Sequence, residues 1–132
     1  MSGVMIVGEL LRADAALTAI VPAARIKAGR LPEDAPLPTL VIRSVSLVDW
    51  EPLKGGPVHS VERVSVTVRA ANDRDRRALI GLVRRCCAGR TGDIGDARGV
   101  SIRTAGAGPD VDGPGNSFER AQDFRVGFKT FD

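Results

Sequence analysis

Hydrophobic residues at the start of the chain recur at the spacing of one helix face. Two sets lie at positions i, i+3 and i+4, namely Val7, Leu10 and Leu11, and then Leu17, Ile20 and Val21. Asp14 lies between the two sets and can cap a second helical turn. Pro22 prevents the helix from continuing. The pattern from Ser2 to Val21 therefore predicts two short helices or one kinked helix.

A further helix is predicted from about Arg74 to Ala88, because Asn72 and Asp73 can cap its start and Gly89 follows its end. Its apolar stripe comprises Leu79, Leu82, Val83 and Cys86. Much of its remaining surface carries arginines, namely Arg76, Arg77, Arg84 and Arg85. We expect the helix to pack through the apolar stripe and to hold these arginines outside.

Five stretches have the composition or the two-residue alternation of strands. They are Ala24–Leu31 around Ile26, Thr39–Val48, Val58–Ala71, the stretch marked by Val100 and Ile102, and Phe118–Phe131. The alternation is clearest in the third stretch, where Val64, Val66 and Val68 alternate with polar residues. In the last stretch, Phe124 and Phe128 are expected to point inward.

Four segments rich in glycine, proline or aspartate separate these elements. They are Leu31–Pro38, Asp49–Pro57, Arg90–Gly99 and Ala105–Asn116. Three prolines make the first segment an extended, ordered loop, since proline fixes φ and removes a backbone donor. The other three are predicted to be irregular, flexible loops.

The order α-β-β-β-α-β-β predicts an α+β fold, with residues 1–132 forming one domain. We expect a mainly antiparallel sheet of about five strands with two helical segments packed on one face. The other face is expected to carry outward-pointing arginines, namely Arg43, Arg69, Arg103 and Arg125. In an isolated domain such a face lies in solvent; the alternative is that it meets another subunit or an acidic partner.

The composition is that of an ordinary soluble domain, with 43% hydrophobic and 27% charged residues in 132. It excludes disordered, collagen-like and coiled-coil proteins, and no apolar run approaches the roughly 18 residues of a membrane span. We expect assembly in a cytosol, because no signal-peptide core is found near the start. The net charge is only +3, although 16 of the 19 basic residues are arginine. Arginine suits fixed contacts across interfaces, but a GC-rich genome explains the same excess.

Signals for catalysis and metal binding are weak. His59 is the only histidine, and the adjacent Cys86 and Cys87 neither form an ordinary disulfide nor complete a four-ligand zinc site. Burial on the helix stripe is expected to make Cys86 inert, whereas Arg84 and Arg90 could lower the pKa of Cys87. The glycine-rich segments match neither a P-loop nor a dinucleotide fingerprint, and the DVDG sequence at 110–113 lacks the other calcium ligands. We expect no enzyme, no metal and no cofactor.

A small nucleic-acid-binding module is the alternative from another class of function. Modules that bind single strands combine basic side chains with aromatic rings on which bases stack. The predicted outward positions of the sheet hold arginine, serine and threonine, and the strand phenylalanines point inward. The aromatic half of this mechanism is therefore missing from the predicted sheet.

Several motifs resemble, in order and spacing, the tail-completion (tail terminator) family of long-tailed phages. They are LLRADAALTAIVP at 10–22, RI at 25–26, LPTLVI at 37–42, ERVSVTV at 62–68 and QDFRV at 122–126. The resemblance runs over nearly the whole chain. One departure is Lys27, at a position where the family commonly has an aromatic residue, and the glycine-rich loops are variable in the family.

The resemblance implies a structural virion protein at the interface of head and tail, assembled in the host cytoplasm. Such subunits form a hexameric ring that caps the finished tail tube, stops its polymerisation and offers a surface for joining the head. The implied partners are further copies of the chain, the major tail tube protein and the connector or neck proteins. DNA is met only as the passing genome, no membrane is involved, and prophages and gene transfer agents carry similar proteins. A head-completion or neck adaptor protein is the alternative within the same particle.

A ring gives the outward arginines and the loops a physical use, because closed rings need head-to-tail contacts between subunits. We expect Arg43, Arg69, Arg103 and Arg125 to lie at the subunit interface rather than along a lumen that DNA passes, since tight phosphate contacts would hold the genome. The loops 49–59 and 106–116 are expected to face the partners. Their candidate contact residues are Trp50, Glu51, Lys54, His59, Asp110, Asp112 and Asn116.

Overall fold

The computed structural model describes residues 2–30 and 34–130. The helices are α1 (Gly3–Ala13), α2 (Ala15–Thr18) and α3 (Asp73–Cys87). The strands are β1 (Ile26–Ala28), β2 (Thr39–Trp50), β3 (Val58–Ala70), β4 (Thr91–Ile94), β5 (Ala97–Ala107), β6 (Val111–Asp112) and β7 (Phe118–Thr130). The α+β class is confirmed, although the sheet has more strands than the sequence predicts. None of the helices in the described ranges has the length and hydropathy of a membrane span.

The N-terminal helices are separate, and side chains cap both. The Met5 amide donates to Ser2 Oγ over 3.2 Å, and the Leu17 amide donates to Asp14 Oδ1 over 2.9 Å. Each bond satisfies one amide that has no partner inside its helix. The predicted role of Asp14 as the cap of a second turn is thus confirmed. Of the predicted proline-rich loop, Leu31–Glu33 lie outside the described residues.

The strands form one sheet in the order β1-β2-β3-β7-β5-β4, with β6 paired to β7. All pairings are antiparallel except that of β1 with β2, which is parallel. The mainly antiparallel sheet is therefore confirmed, and the mixed edge is new. β3 and β7, the longest strands, pair along their whole lengths from Val58–Thr130 to Ala70–Phe118. They form the rigid centre to which the other strands are attached.

The core lies between one face of this sheet and the helices. It contains buried side chains from all the larger elements, among them Ile6, Leu11, Leu40, Ile42, Val66, Leu79, Val83, Phe124 and Val126. The alternation predicted for β3 and β7 is confirmed, since Val64, Val66 and Val68 are fully buried together with Phe124. Leu82, predicted on the apolar stripe of α3, is only half-buried, and Ile80 is buried instead.

The prediction of a loop over Arg90–Gly99 is wrong. Residues 91–94 form β4, which pairs with β5 through a hairpin. Gly92 has φ +103°, and the register shifts between Gly92 and Ile94, so the strand carries a bulge. Glycine and aspartate in so short a strand hide the alternation from which strands are predicted.

The prediction of a loop over Ala105–Asn116 is also wrong in part. β5 continues to Ala107, and β6 pairs with β7 through Val111–Glu119 and Asp112–Phe118. The Gly108 amide donates to the Ala121 carbonyl over 2.9 Å. The segment is therefore folded back along β7 and held by backbone hydrogen bonds.

Arg76 is the clearest exception to the predicted outer surface of α3. Its side chain is 8% exposed and forms ion pairs with Asp73 and, over 3.4 Å, with Asp110. Its guanidinium also lies 5.3 Å from the centre of the Phe118 ring, a cation–π contact. Arg76 thus ties α3 to the segment that precedes β7, a contact that no periodicity predicts.

Candidate interaction surface

The outer face of the sheet, opposite the helices, carries several arginine and aromatic side chains. Residues that pair directly across antiparallel strands point to the same face. The pairs Trp50–His59 and Arg63–Arg125 therefore place β2, β3 and β7 side chains together on this face. The predicted outward orientation of Arg125 is confirmed by the burial of its neighbours Phe124 and Val126.

Three arginines stand in one row across three neighbouring strands. Arg63 of β3 pairs with Arg125 of β7, which pairs with Arg103 of β5. Like charges directly opposite each other are destabilising. Arg63 is compensated by Asp123 over 2.8 Å and donates to the Ala105 carbonyl over 3.1 Å. In the part of the chain that the structure describes, neither Arg103 nor Arg125 has an ion pair, so the row has an excess of positive charge.

Two shallow grooves flank this row. One, of about 300 Å³, is lined by His59, Val61, Ser101, Arg103, Arg125 and Gly127. The other, of about 370 Å³, is lined by Ser46, Val48, Trp50, Val61, Arg63 and Arg125. Both combine guanidinium groups with apolar surface, and Val61 and Arg125 line both. Such a surface fits a partner that presents carboxylates beside a hydrophobic side chain.

Trp50 lies on this face and not in a loop, so the prediction of a loop beginning at Asp49 is wrong. β2 extends further than the sequence predicts, because Asp49 pairs with Ser60 and Trp50 pairs with His59. The rings of Trp50 and His59 lie 6.1 Å apart and tilted at 32°. The outer face therefore carries an aromatic pair beside the arginines, and the expectation that it has no aromatic side chain is also wrong.

The four arginines predicted for a subunit interface have different surroundings. Arg103 and Arg125 lie together in the row, whereas Arg43 is exposed on β2 opposite Ser65. Arg69 is mostly buried, and its Nε lies 3.4 Å from Glu119 of β7. The structure therefore brings Arg103 and Arg125 together in the row, places Arg43 and Arg69 around a separate groove, and gives Arg69 an ion pair within the subunit. Arg63, which completes the row, is not among the predicted interface residues. The strand is recognised from its alternating valines, and that pattern does not single out Arg63.

The predicted partner-facing residues also separate into two groups. Glu51 and Lys54 lie in the exposed turn between β2 and β3, next to Trp50 and His59. Asp110 is held by Arg76 over 3.4 Å and by Arg120 over 3.7 Å. Asp112 is exposed in β6, and Asn116 is exposed with a φ of 60°. The first group forms the tip of a hairpin, and the second lies in a segment anchored to β7.

The two cysteines are buried in α3, and the Cys86 thiol donates to the Leu10 carbonyl over 3.2 Å. The hydrogen bond between the two thiols lowers the pKa of Cys86 and, together with burial, raises the pKa of Cys87 far above its usual value. Arg90 lowers the pKa of Cys87 as expected, but the hydrogen bond and burial outweigh its effect, so the net shift is upward. Residues 2–30 and 34–130 contain no group of three potential ligands placed to hold a metal ion.

Comparison with known proteins identifies a family and solved structures that share the fold. The model of the family "Tail completion protein gp17" matches residues 7–129. No curated protein matches the chain. A chain in the solved structure of the virion of a native gene transfer agent particle has 18% sequence identity and a TM-score of 0.77. The match covers 98% of this chain and 96% of that one, and it shows a shared fold.

The family match spans nearly the whole chain, including all three strands that carry the arginine row and most of the helical residues that cover the core. The resemblance inferred from the motifs is thereby confirmed, as is the location in the virion that follows from it. The protein is a structural protein of a phage-type tail, and it belongs to the tail completion protein gp17 family.

Proposed function

We propose that the protein is the subunit of a hexameric ring that caps the finished tail tube. The ring stops further tube polymerisation and offers the surface to which the head is joined. Family membership over residues 7–129 carries this proposal. The outer sheet face supports it, because arginine and aromatic residues beside shallow grooves are typical of the centres of protein interfaces.

Within the ring, Arg103 and Arg125 contact carboxylates of the neighbouring subunit. Neither guanidinium has an acidic partner among the described residues of the same chain. A carboxylate of the neighbouring subunit supplies that partner, because the two groups match in geometry. Arg43 extends this contact along β2. Arg69 has a different role, since its contact with Glu119 joins β3 to β7 inside one subunit.

The hairpin tip contacts the tail tube or the connector. Glu51 and Lys54 lie in the exposed turn, and Trp50 beside it provides an apolar anchor of the kind found at interface hot spots. His59 supports the Trp50 ring from the neighbouring strand. In the second predicted segment, Asp112 and Asn116 are available for such contacts, whereas Asp110 is engaged by two arginines.

The proposal is tested by growing tail tubes from purified tube protein in the presence and absence of this chain. We expect tubes to stop lengthening once the chain is added, and the added protein to be found at one tube end. Unchanged growth with no bound protein would contradict the proposal. Binding to isolated connectors but not to tubes would instead identify a neck adaptor, the alternative within the same particle.

A nucleic-acid-binding module is the second candidate function, favoured by Trp50 and His59 lying beside the arginine row. Base stacking on aromatic rings with nearby arginines is the mechanism of single-strand binders. Fluorescence anisotropy with a labelled single-stranded oligonucleotide separates the two candidates. A tail protein should bind it only weakly and lose that binding as salt is raised, whereas a binding module keeps a sub-micromolar Kd at physiological salt.

A further inference from the structure

One edge of the sheet is uncovered over most of an unusually long strand. β1 pairs with β2 only at Leu40–Ile42, and the Gly29 amide extends this contact by one bond to the Ile42 carbonyl over 2.9 Å. From Ser44 to Trp50, here called the β2 edge, no strand among the described residues pairs with the outer side of β2. Its outward backbone amides and carbonyls are therefore available to another strand.

The β2 edge lacks most of the features that keep edge strands from associating. Such strands are normally short or carry proline, lysine or inward-pointing charge. Residues 44–50 read SVSLVDW, and the single charged residue, Asp49, accepts a hydrogen bond from Ser60. Two such features are present, namely the bulge at Val45, between Ser44 and Ser46, and Asp49, which lies on the inner side of the sheet opposite the buried Ser60. The edge nevertheless has neither proline nor lysine and is seven residues long, so it remains open to pairing.

Large hydrophobic side chains are exposed along the β2 edge on both faces of the sheet. Val45, Leu47, Val48 and Trp50 are between 50 and 57% exposed. Val48 and Trp50 lie opposite outward-facing Val61 and His59, whereas Leu47 lies opposite the buried Glu62. A strand added to this edge buries apolar surface on both faces, which stabilises the pairing beyond its backbone hydrogen bonds.

We infer that the β2 edge pairs with β4 of the next copy of this chain, so that the sheet continues from subunit to subunit around the ring. This inference rests on the proposed ring. β4 is the strand at the opposite end of the sheet, and its outer side is likewise unpaired in the described residues. Two different edges that meet by rotation form the head-to-tail contact that a closed ring requires.

Charge complementarity favours β4 as the strand that pairs with the β2 edge. Residues 91–96, which form β4 and the turn after it, include Asp93 and Asp96 and no basic residue. Asp93 pairs with Arg98 of the same hairpin over 3.3 Å, whereas Asp96 has no ion pair among the described residues. On the outer face, the β2 edge is bordered by Arg43, which has no ion pair among the described residues, and by Arg63 of the adjacent strand, which pairs with Asp123. A β4 strand beside the β2 edge brings the uncompensated charges of Asp96 and Arg43 close together. A second β2 edge there would instead bring Arg43 and Arg63 of two copies near each other.

Cysteine cross-linking tests this pairing directly. The double variant Ser46→Cys/Thr91→Cys places thiols at exposed positions on the β2 edge and on β4, and both residues face outward opposite Arg63 and Ser101. The native Cys86 and Cys87 are buried and stay unmodified. The variant is bound to tail tubes, treated with a short bis-maleimide and separated on a denaturing gel. We expect a ladder of covalent multimers, and only monomers from each single variant.

The control pairs Thr91→Cys with Ala16→Cys, an exposed position on α2, and should give no ladder. Dimers from the single Ser46→Cys variant would show that two β2 edges pair, which overturns the inference. Rings on tube ends without a ladder from the double variant overturn it as well, while the proposed function stands. Failure of the unmodified protein to form rings or to bind tubes contradicts the proposed function and this inference together.

A second test uses the exposed side chains without cross-linking. Val48→Lys places a charge among the hydrophobic residues of the β2 edge and should weaken self-association at least tenfold in light scattering. Val111→Lys changes a similarly exposed valine in β6 and should leave self-association unchanged. Equal behaviour of the two variants overturns the inference. Circular dichroism of both variants should match the unmodified protein, because neither valine is part of the core.

Discussion

At the scale of single residues, the outer face holds a charge arrangement that is unfavourable in the isolated subunit. Arg63, Arg125 and Arg103 are direct cross-strand neighbours, and only Arg63 has an acidic partner among the described residues. Residues that bind partners often reduce the stability of the free protein, because their charges are satisfied only in the complex. The row should therefore lower the stability of the subunit and raise that of the assembly.

Arg125→Gln separates these two effects. Removing the central charge relieves repulsion, so the free energy of unfolding should rise by up to about 0.5 kcal/mol in a urea titration. Self-association in light scattering should nevertheless become weaker. Arg84→Gln, on the exposed surface of α3, serves as the control and should change neither quantity. Normal assembly of the Arg125 variant would show that the arginine row does not lie at the subunit interface.

Arg76→Met tests the buried ion pair between α3 and the segment before β7. The guanidinium also donates to the carbonyls of Val111 and Glu119, both over 3.4 Å. Its loss removes these hydrogen bonds and the ion pairs with Asp73 and Asp110, and should lower the free energy of unfolding by about 1–3 kcal/mol. Arg77→Met removes a neighbouring arginine whose side chain is 76% exposed, and should cost at most about 1 kcal/mol. Equal losses in urea titrations would contradict a special role for Arg76.

The sequence predicts charged residues less well than hydrophobic ones. Leu40, Ile42 and Val66 are buried where the alternation places them, because that pattern has one physical cause. Arg76 and Arg69 carry no such signal, since their burial depends on acidic residues far away in the chain. The row also needs the register of β3, β7 and β5, which a single sequence does not contain.

At the scale of elements, caps and turns determine where each segment begins and ends. Asp14 ends α1 and caps α2, and Asn72 caps α3 by accepting from the Asp75 amide over 2.8 Å. These starts were predictable, because the capping side chain and the apolar stripe lie close together in the sequence. β4 and β6 were not predictable, because they are short and their residues are typical of turns.

Asp14→Ala should destabilise the protein by about 1 kcal/mol, because the Leu17 amide loses its acceptor. Chemical unfolding monitored by circular dichroism measures this change. Glu9→Ala provides the control, since Glu9 is exposed on α1 away from either cap and should change stability by less than about 0.5 kcal/mol. A loss at position 14 no larger than at position 9 would show that the cap does not hold α2.

Shortening the hairpin between β2 and β3 tests its proposed contact with the tube or connector. Replacement of residues 52–57 by Asn-Gly keeps Glu51 and the strand pairs, so the melting temperature should stay within a few degrees, as for a surface change of about 0.5 kcal/mol. Binding to tubes or to connectors should fall in a pull-down assay. Normal binding to both partners would place their contact surface elsewhere.

At the scale of the whole molecule, the sheet contributes both to the core and to the proposed contact surfaces. Its inner face packs on the helices to form the core, and its outer face carries the arginines and grooves. At each of its two ends, a strand has one side that no described residue pairs with. The fold class was predictable from the order of the elements, and the family from its motifs. The free β2 edge was not predictable. β1 covers only Leu40–Ile42 of β2, and this short overlap is known only from the pairing of the two strands.

Electron microscopy of tail-tube ends tests the central claim most directly. Purified tubes are mixed with this protein, and class averages of the tube ends are compared with those of tubes alone. A ring-shaped cap with sixfold symmetry should be present at one end of the tubes. Bare ends at a saturating concentration of folded protein, with the protein remaining a monomer in solution, would contradict the account.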